Sequence, residues 1–341
     1  MPRYRSRRRN PNKAHFLLAA SVGVILLVWW FWPTGEEGQP ADNQLASTIK
    51  PPLTSERPEI APEVWPRASV SEKGDRPAPA TNPKHPGATG ERTKQLLTAG
   101  RRALAREDWL VAREQLNEVL QHTVDDQDRV KIRADLTRIA EETIFSARTL
   151  GEDPLVCRYT IKAGDSLGKI AKVYHISDDL LASVNGIRNK NIIREGQTIK
   201  AIRGPFHAVV DTETFALDVY VGEGDDRTLV KHFKVGLGEE GSTPRGMWRV
   251  KNKLKNPTYY PPRGGRIIGA DNPENPLGER WLGLEGISGE AQGQQRYGIH
   301  GTIDPQSIGK NASLGCIRLY NEDVGLLFDC LVVNHSTVEV R

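Results

Sequence analysis

A histidine at 300 and a cysteine at 316 stand sixteen positions apart in IHGTIDPQSIGKNASLGCIRLYN, residues 299–321. Both lie among glycines and small polar residues rather than in an apolar run. A cysteine attacks as its thiolate, and a neighbouring imidazole can generate that thiolate. The separation is too long for one helix, but a loop and a strand folding back can bring His300 to Cys316. Gly301 and Gly315 let backbone come close to a substrate. The amides around Gly315 and Cys316 can form an oxyanion hole for a tetrahedral intermediate. Ser313 adds a hydroxyl beside it. Arg318, two residues past the cysteine, can hold a substrate carboxylate or lock the loop through a bidentate pair. A zinc site from His300, Cys316, Cys330 and His335 would be another use of these types, but no CxxC pair supports it. A papain-like protease would place its cysteine before its histidine.

A site of this kind needs elements to position it, and the 341 residues allow two or three domains. The net charge is +4, yet residues 1–14 carry six arginines and lysines and no acid, so the rest of the chain stands at −2. The folded part therefore predicts no basic patch, and nucleic acid is not an expected partner. An uncharged apolar run, FLLAASVGVILLVWWFW, follows the basic tail and ends in an aromatic cluster. Residues 15–32 are expected to form a transmembrane helix, since the seventeen apolar residues at 16–32 alone span roughly 26 Å. Arginines before it and Glu36 and Glu37 after it predict a single-pass cell-membrane protein. Its N-terminus would lie in the cytoplasm and its catalytic part in the periplasm or cell wall. The alternative is a cleaved signal peptide and a secreted product, against which no small-x-small site follows the run.

Residues 33–90 hold eleven of the twenty-two prolines and little apolar sequence, which predicts a disordered linker. Such a tether reaches about 40 Å as a flexible coil. Residues 91–150 have small and apolar residues at helical spacing, with Asp108 as a candidate N-cap between two helices. They resemble a tetratricopeptide-like helical hairpin plus a further helix, a small all-α module. The three cysteines, Cys157, Cys316 and Cys330, are too few for a disulfide framework. Cys330, in LLFDCLVV, reads as core.

In residues 157–203, a strand YTIK leads into AGDS, where Asp165 can cap a helix carrying Leu167, Ile170 and Ala171. Ser177 can cap a second helix, Asn185 and Gly186 end it, and GQTIKAI closes with a strand. This ordered set, YTIKAGDSLGKIA, Asn185 and IREGQTI, resembles a LysM domain, an α+β (βααβ) unit. The resemblance implies binding of N-acetylglucosamine-containing glycan such as peptidoglycan. The groove it implies involves Gly164, Asp165, Ser166, Leu167, Asn185 and Ile187. A degenerate copy that only packs on its neighbour is the other reading.

From 205 to 341 the sequence predicts short strands divided by glycine and proline clusters, hence a mainly-β sandwich or open barrel. HGT at 300–302, SLGCIRL at 313–319, STPRGMWRV at 242–250 and NPLGERWLGL at 275–284 resemble the YkuD-type L,D-transpeptidase catalytic domain. The resemblance implies a β-sandwich-like fold, Cys316 as nucleophile and His300 as general base and acid. The backbone of Gly301 would orient the imidazole, while Ser313, Gly315 and Arg318 shape the site. Leu314 stands where many members have another histidine, which bears on acceptor choice. The implied reaction moves the acyl group of a tetrapeptide stem from Cys316 to an amine, making a 3→3 cross-link in peptidoglycan. No cofactor or metal is implied, and carbapenems are expected covalent inhibitors. An L,D-carboxypeptidase that uses water, or a non-catalytic wall-binding protein, are the alternatives.

Overall fold

The computed structural model describes residues 86–341 apart from 123, 223, 225 and 226. The basic tail, the transmembrane helix expected at 15–32 and nearly all of the 33–90 linker lie outside the described residues. Among the described residues no helix is long and apolar enough to cross a membrane.

Three helices come first: α1 (Pro86–Ala105), α2 (Trp109–Leu120) and α3 (Asp126–Thr143). Ala112, Leu116, Val119, Ile132, Leu136 and Ile139 close their shared core with no exposed surface. Gly100 makes the α1–α2 crossing possible, because a Cβ there would meet Leu116 at 2.9 Å. Asp108 occupies the N-cap position of α2, but its side chain makes no capping bond. Asp125 does cap α3, its carboxylate accepting from the Asp128 amide at 2.8 Å.

The LysM-like unit pairs β1 (Val156–Thr160) antiparallel with β2 (Thr198–Ile202) around α4 (Leu167–Val173) and α5 (Asp178–Val184). The cap of α4 differs from the expectation. Ser166 accepts from the Lys169 amide at 3.2 Å. Asp165 lies one residue too early, and its carboxylate accepts from the Lys162 amide and the Tyr159 hydroxyl, each at 2.8 Å. Ser177 caps α5 through the Leu180 amide at 3.0 Å.

The rest is mainly β: β3 (Phe206–Asp211), β4 (Ala216–Val221), β5 (Thr228–Lys234), β6 (Leu237–Gly238), β7 (Gly246–Lys255), β8 (Arg280–Gly286), β9 (Tyr297–His300), β10 (Asn311–Ser313), β11 (Ile317–Arg318) and β12 (Thr337–Val340). Eight of them make one continuous mixed sheet in the order β11-β9-β8-β7-β12-β3-β4-β5, and β6 and β10 form a separate parallel pair. Helix α6 (Asn321–Cys330) buries Val324, Leu327, Phe328 and Cys330 against the sheet.

The modules are fused rather than strung out. One apolar core runs from Ile144 of the helical module through Leu181 and Ile202 to Phe206, Trp248 and Leu327. The helical module covers the exposed edge of the sheet at β5. There the Asn117 side chain donates to the Arg227 carbonyl and accepts from the Leu229 amide, both at 3.0 Å, as a neighbouring strand would. Beneath this edge Arg133 of α3 grips Asp218 of β4 at 2.6 and 3.0 Å, with His232 of β5 on the other carboxylate oxygen at 2.7 Å. Both partners of the Arg133–Asp218 pair are buried. Arg133→Met should lower stability by about 3 kcal/mol, because it leaves a buried carboxylate with His232 as its remaining side-chain partner. The check is the urea midpoint of the variant, with the catalytic rate per folded molecule unchanged.

Candidate active site

The site is set by strand register. In the parallel pair β9–β11, Ile317 stands opposite Ile299 and Arg318 opposite His300. Cys316, one step back, is therefore level with Gly298. Side chains alternate along a strand, so Gly298, His300, Cys316 and Arg318 all belong to one face. The same face continues across β8 and β7, with Trp281 opposite His300 and Leu254 opposite Trp281. Gly298 and Gly283 contribute no side chains; the Trp281 indole fills the space at Gly298, while at Gly283 the Asn252 side chain comes closest, with the indole beside it. A Cβ on Gly298 would meet the ring at 2.6 Å, and one on Gly283 would meet Nε1 at 3.0 Å. The ring lies within 20° of parallel to the His300 imidazole, with centroids 5.8 Å apart.

His300 is 5% exposed. Its Nδ1 lies 2.6 Å from the Gly301 carbonyl oxygen. A carbonyl can only accept, so Nδ1 carries the hydrogen and Nε2 keeps its lone pair. Burial pulls the imidazole pKa down to about 4, and the Arg318 cation adds to the fall, against the opposing Gly301 bond. Burial also pushes the Cys316 thiol up, while the Gly298 amide and Arg318 oppose it. Both shifts favour the uncharged forms, thiol and imidazole.

The turn carrying Cys316 is held from both sides. Thr243 Oγ1 accepts from the Gly238 amide at 2.9 Å and donates to the Gly315 carbonyl at 3.0 Å. Ser313 Oγ accepts from the Gly315 amide at 3.0 Å and donates to the Cys316 carbonyl at 2.6 Å. Gly315 has φ of +125°, and a Cβ there would meet Tyr297 at 2.6 Å and the Ser242 carbonyl at 2.8 Å. The Gly315 amide is thereby committed to Ser313 and is not free to receive an oxyanion. The Cys316 amide has no acceptor among the described residues. Arg318 makes no ion pair among the described residues, and its buried Nε has no partner. Leu314, in the turn that carries Cys316, is 53% exposed.

Among the residues expected to line the glycan groove, two side chains turn inward. Leu167 is buried in the core of its own unit. Asn185 spends its amide on the Leu181 carbonyl and on both backbone groups of Lys200, at 2.8–2.9 Å. Asp165 and Ser166 are engaged in the turn and cap described above. Gly164, with φ of +81°, and half-buried Ile187 keep accessible surface. Thr243, Trp281 and Asn321 are site residues that spacing did not single out. Thr243 and Trp281 lie inside the STPRGMWRV and NPLGERWLGL stretches, but their partners are remote in sequence. A cleft of about 460 Å³ lies beside the site, lined by Asn256, Asp271, Arg280, Ile303 and Asn321 among others. A larger one of about 530 Å³, near Thr149, Cys157 and Arg203, holds no histidine to serve as a base.

The L,D-transpeptidase catalytic domain model matches residues 205–340, and the LysM domain model matches residues 159–201. The chain is 33% identical over 189 residues to the YkuD protein of Bacillus licheniformis, covering 53% of this chain and 97% of the relative. It is 32% identical over 174 residues to YkuD of Bacillus subtilis, covering 49% and 88%. It is 36% identical over 133 residues to YqjB of Bacillus subtilis, covering 38% and 68%. The names of all three assign them provisionally as L,D-transpeptidases.

Proposed function

The chain belongs to the L,D-transpeptidase family and carries a LysM peptidoglycan-binding domain ahead of its catalytic domain, and from that premise we propose that Cys316 is the nucleophile and His300 its general base and acid. The carrying observation is that the two share one face of paired strands, with His300 Nδ1 fixed on the Gly301 carbonyl. His300 Nε2 takes the thiol proton as sulfur adds to the carbonyl of the third residue of a tetrapeptide stem. The Cys316 amide stabilises the oxyanion. On collapse the C–N bond breaks, His300 returns the proton to the leaving D-alanine amine, and a thioester remains on Cys316. The amine of a second stem then attacks, and the thiol is released with a 3→3 cross-link formed. Arg318, cationic and without an ion pair among the described residues, suits a carboxylate of the stem peptide.

Residues 15–32 serve in this reading as a membrane anchor and 33–90 as a tether, placing the catalytic domain in the periplasm or cell wall. The LysM unit holds glycan through the loops at Gly164–Ser166 and around Ile187, and keeps stem peptides near the site. The helical module braces the β5 edge. The test is incubation of the full chain with a disaccharide-tetrapeptide and mass analysis of the products. A cross-linked dimer with free D-alanine is expected. Tripeptide alone would mean that water is the acceptor, and unchanged substrate would overturn the catalytic reading.

A further inference from the structure

We propose that Asn321 is a positioning residue for His300, acting through the single peptide unit that joins Gly301 to Thr302. The inference rests on the assignment of His300 as the base. Asn321 is the first residue of α6, yet its side chain does not cap that helix. It turns back to the HGT segment, where Oδ1 accepts from the Thr302 amide at 3.0 Å and Nδ2 donates to the Thr302 carbonyl at 3.0 Å. The Thr302 amide and the Gly301 carbonyl belong to the same peptide plane. One edge of that plane is held by Asn321, and the opposite edge accepts from His300 Nδ1 at 2.6 Å. A peptide unit is rigid, so rotation that loosened one edge would misdirect the other. A bond on the N–H edge also polarises the C=O edge and strengthens it as an acceptor.

Two glycines make room for this clamp. A Cβ on Gly301 or on Gly278 would fall on Asn321 Oδ1. The clamp is anchored as well, because Val324, Leu327 and Phe328 fix α6 in the core. The tautomer of the base is thereby tied to a packed helix rather than to a free loop.

Without the clamp, the Nδ1 bond weakens and part of the imidazole carries its hydrogen on Nε2, where it cannot take the thiol proton. Asn321→Ala should therefore slow acylation by a carbapenem roughly 10- to 100-fold at saturation, with half-saturation unchanged. In full-length protein labelled with ¹⁵N-histidine, His300 should show Nδ1 protonated and Nε2 bare at neutral pH. Asn321→Ala should move both signals toward a mixture. Asn321→Asp keeps the acceptor for the Thr302 amide and should recover most of the signal and rate. Should alanine fail to fold by thermal melting, Asn321→Ser shortens the side chain and gives the same readouts. A folded truncation variant with wild-type rate would overturn the proposal, as would one that is slow but keeps the wild-type nitrogen signals. If the wild type itself forms no adduct, the catalytic reading falls, and the nitrogen signals still decide whether Asn321 sets the tautomer.

Discussion

Cys316→Ala is expected to abolish cross-linking, with neither dimer nor D-alanine formed from the tetrapeptide and the melting curve unchanged. The substitution removes one sulfur from a partly exposed turn. The bonds that hold that turn, from Thr243 to the Gly315 carbonyl and from Ser313 to the Gly315 amide and Cys316 carbonyl, all go to backbone. Loss of the nucleophile from a group that acts as a unit costs about a millionfold in rate, below detection here. Cys330 supplies the control. The last residue of α6, it is 1% exposed, and burial drives its thiol far from ionisation. Cys330→Ala should cost stability, as for any small buried side chain, and leave the rate per folded molecule intact.

His300→Ala should lower the acylation rate by roughly 10²- to 10⁴-fold through loss of the base. The pH profile of the wild type carries the finer content. A free imidazole would lose its basic form as pH falls through about 6.5. Buried beside Arg318, His300 stays basic down to about 4. The rate should hold between pH 7 and 5 and fall only as pH approaches 4. Stability moves over the same window. The unfolded chain takes up this proton near 6.5 and the folded chain near 4, so the contribution to stability is complete above 6.5 and declines as pH falls toward 4. Arg318→Gln should raise the acid limb, since it removes a cation that disfavours the imidazolium. Stopped-flow or quenched mass measurements of acylation against pH, on wild type and variant, decide this.

Much of this organisation is legible from the residues because it is local. The two LysM strands and helices follow from alternation and from Ser177 as a cap, and the mainly-β C-terminal part follows from short apolar runs cut by glycine and proline. Where two neighbouring residues compete, local reading fails: Asp165 and Ser166 are both good caps, and the side chain one residue closer to the helix takes the role. Side chains expected on the glycan groove illustrate a second limit. Leu167 and Asn185 sit in loop-flanking positions, but the first completes a core and the second pairs with the backbone of Lys200, fifteen residues away. The oxyanion donors narrowed for a similar reason, since Ser313 claims the Gly315 amide only once the turn has folded. Long-range pairs leave no trace in spacing. Arg133 and Asp218 are 85 residues apart, and Thr243 reaches Gly315 across 72. Asn321 reaches nineteen residues back to Thr302, and its partner there is a backbone peptide that no pattern of side-chain types reveals.

The most direct test of the Cys316 thioester is intact-mass analysis of the full chain, folded and at neutral pH, after exposure to a carbapenem. The strained ring offers an amide carbonyl that sulfur can attack, with the C–N bond opening and the ring nitrogen taking the proton. The expected result is one added carbapenem mass per chain, located by peptide mapping on Cys316 and absent from Cys316→Ala. A folded chain that gains no mass, or one whose adduct maps to Cys157 or survives Cys316→Ala, would contradict it.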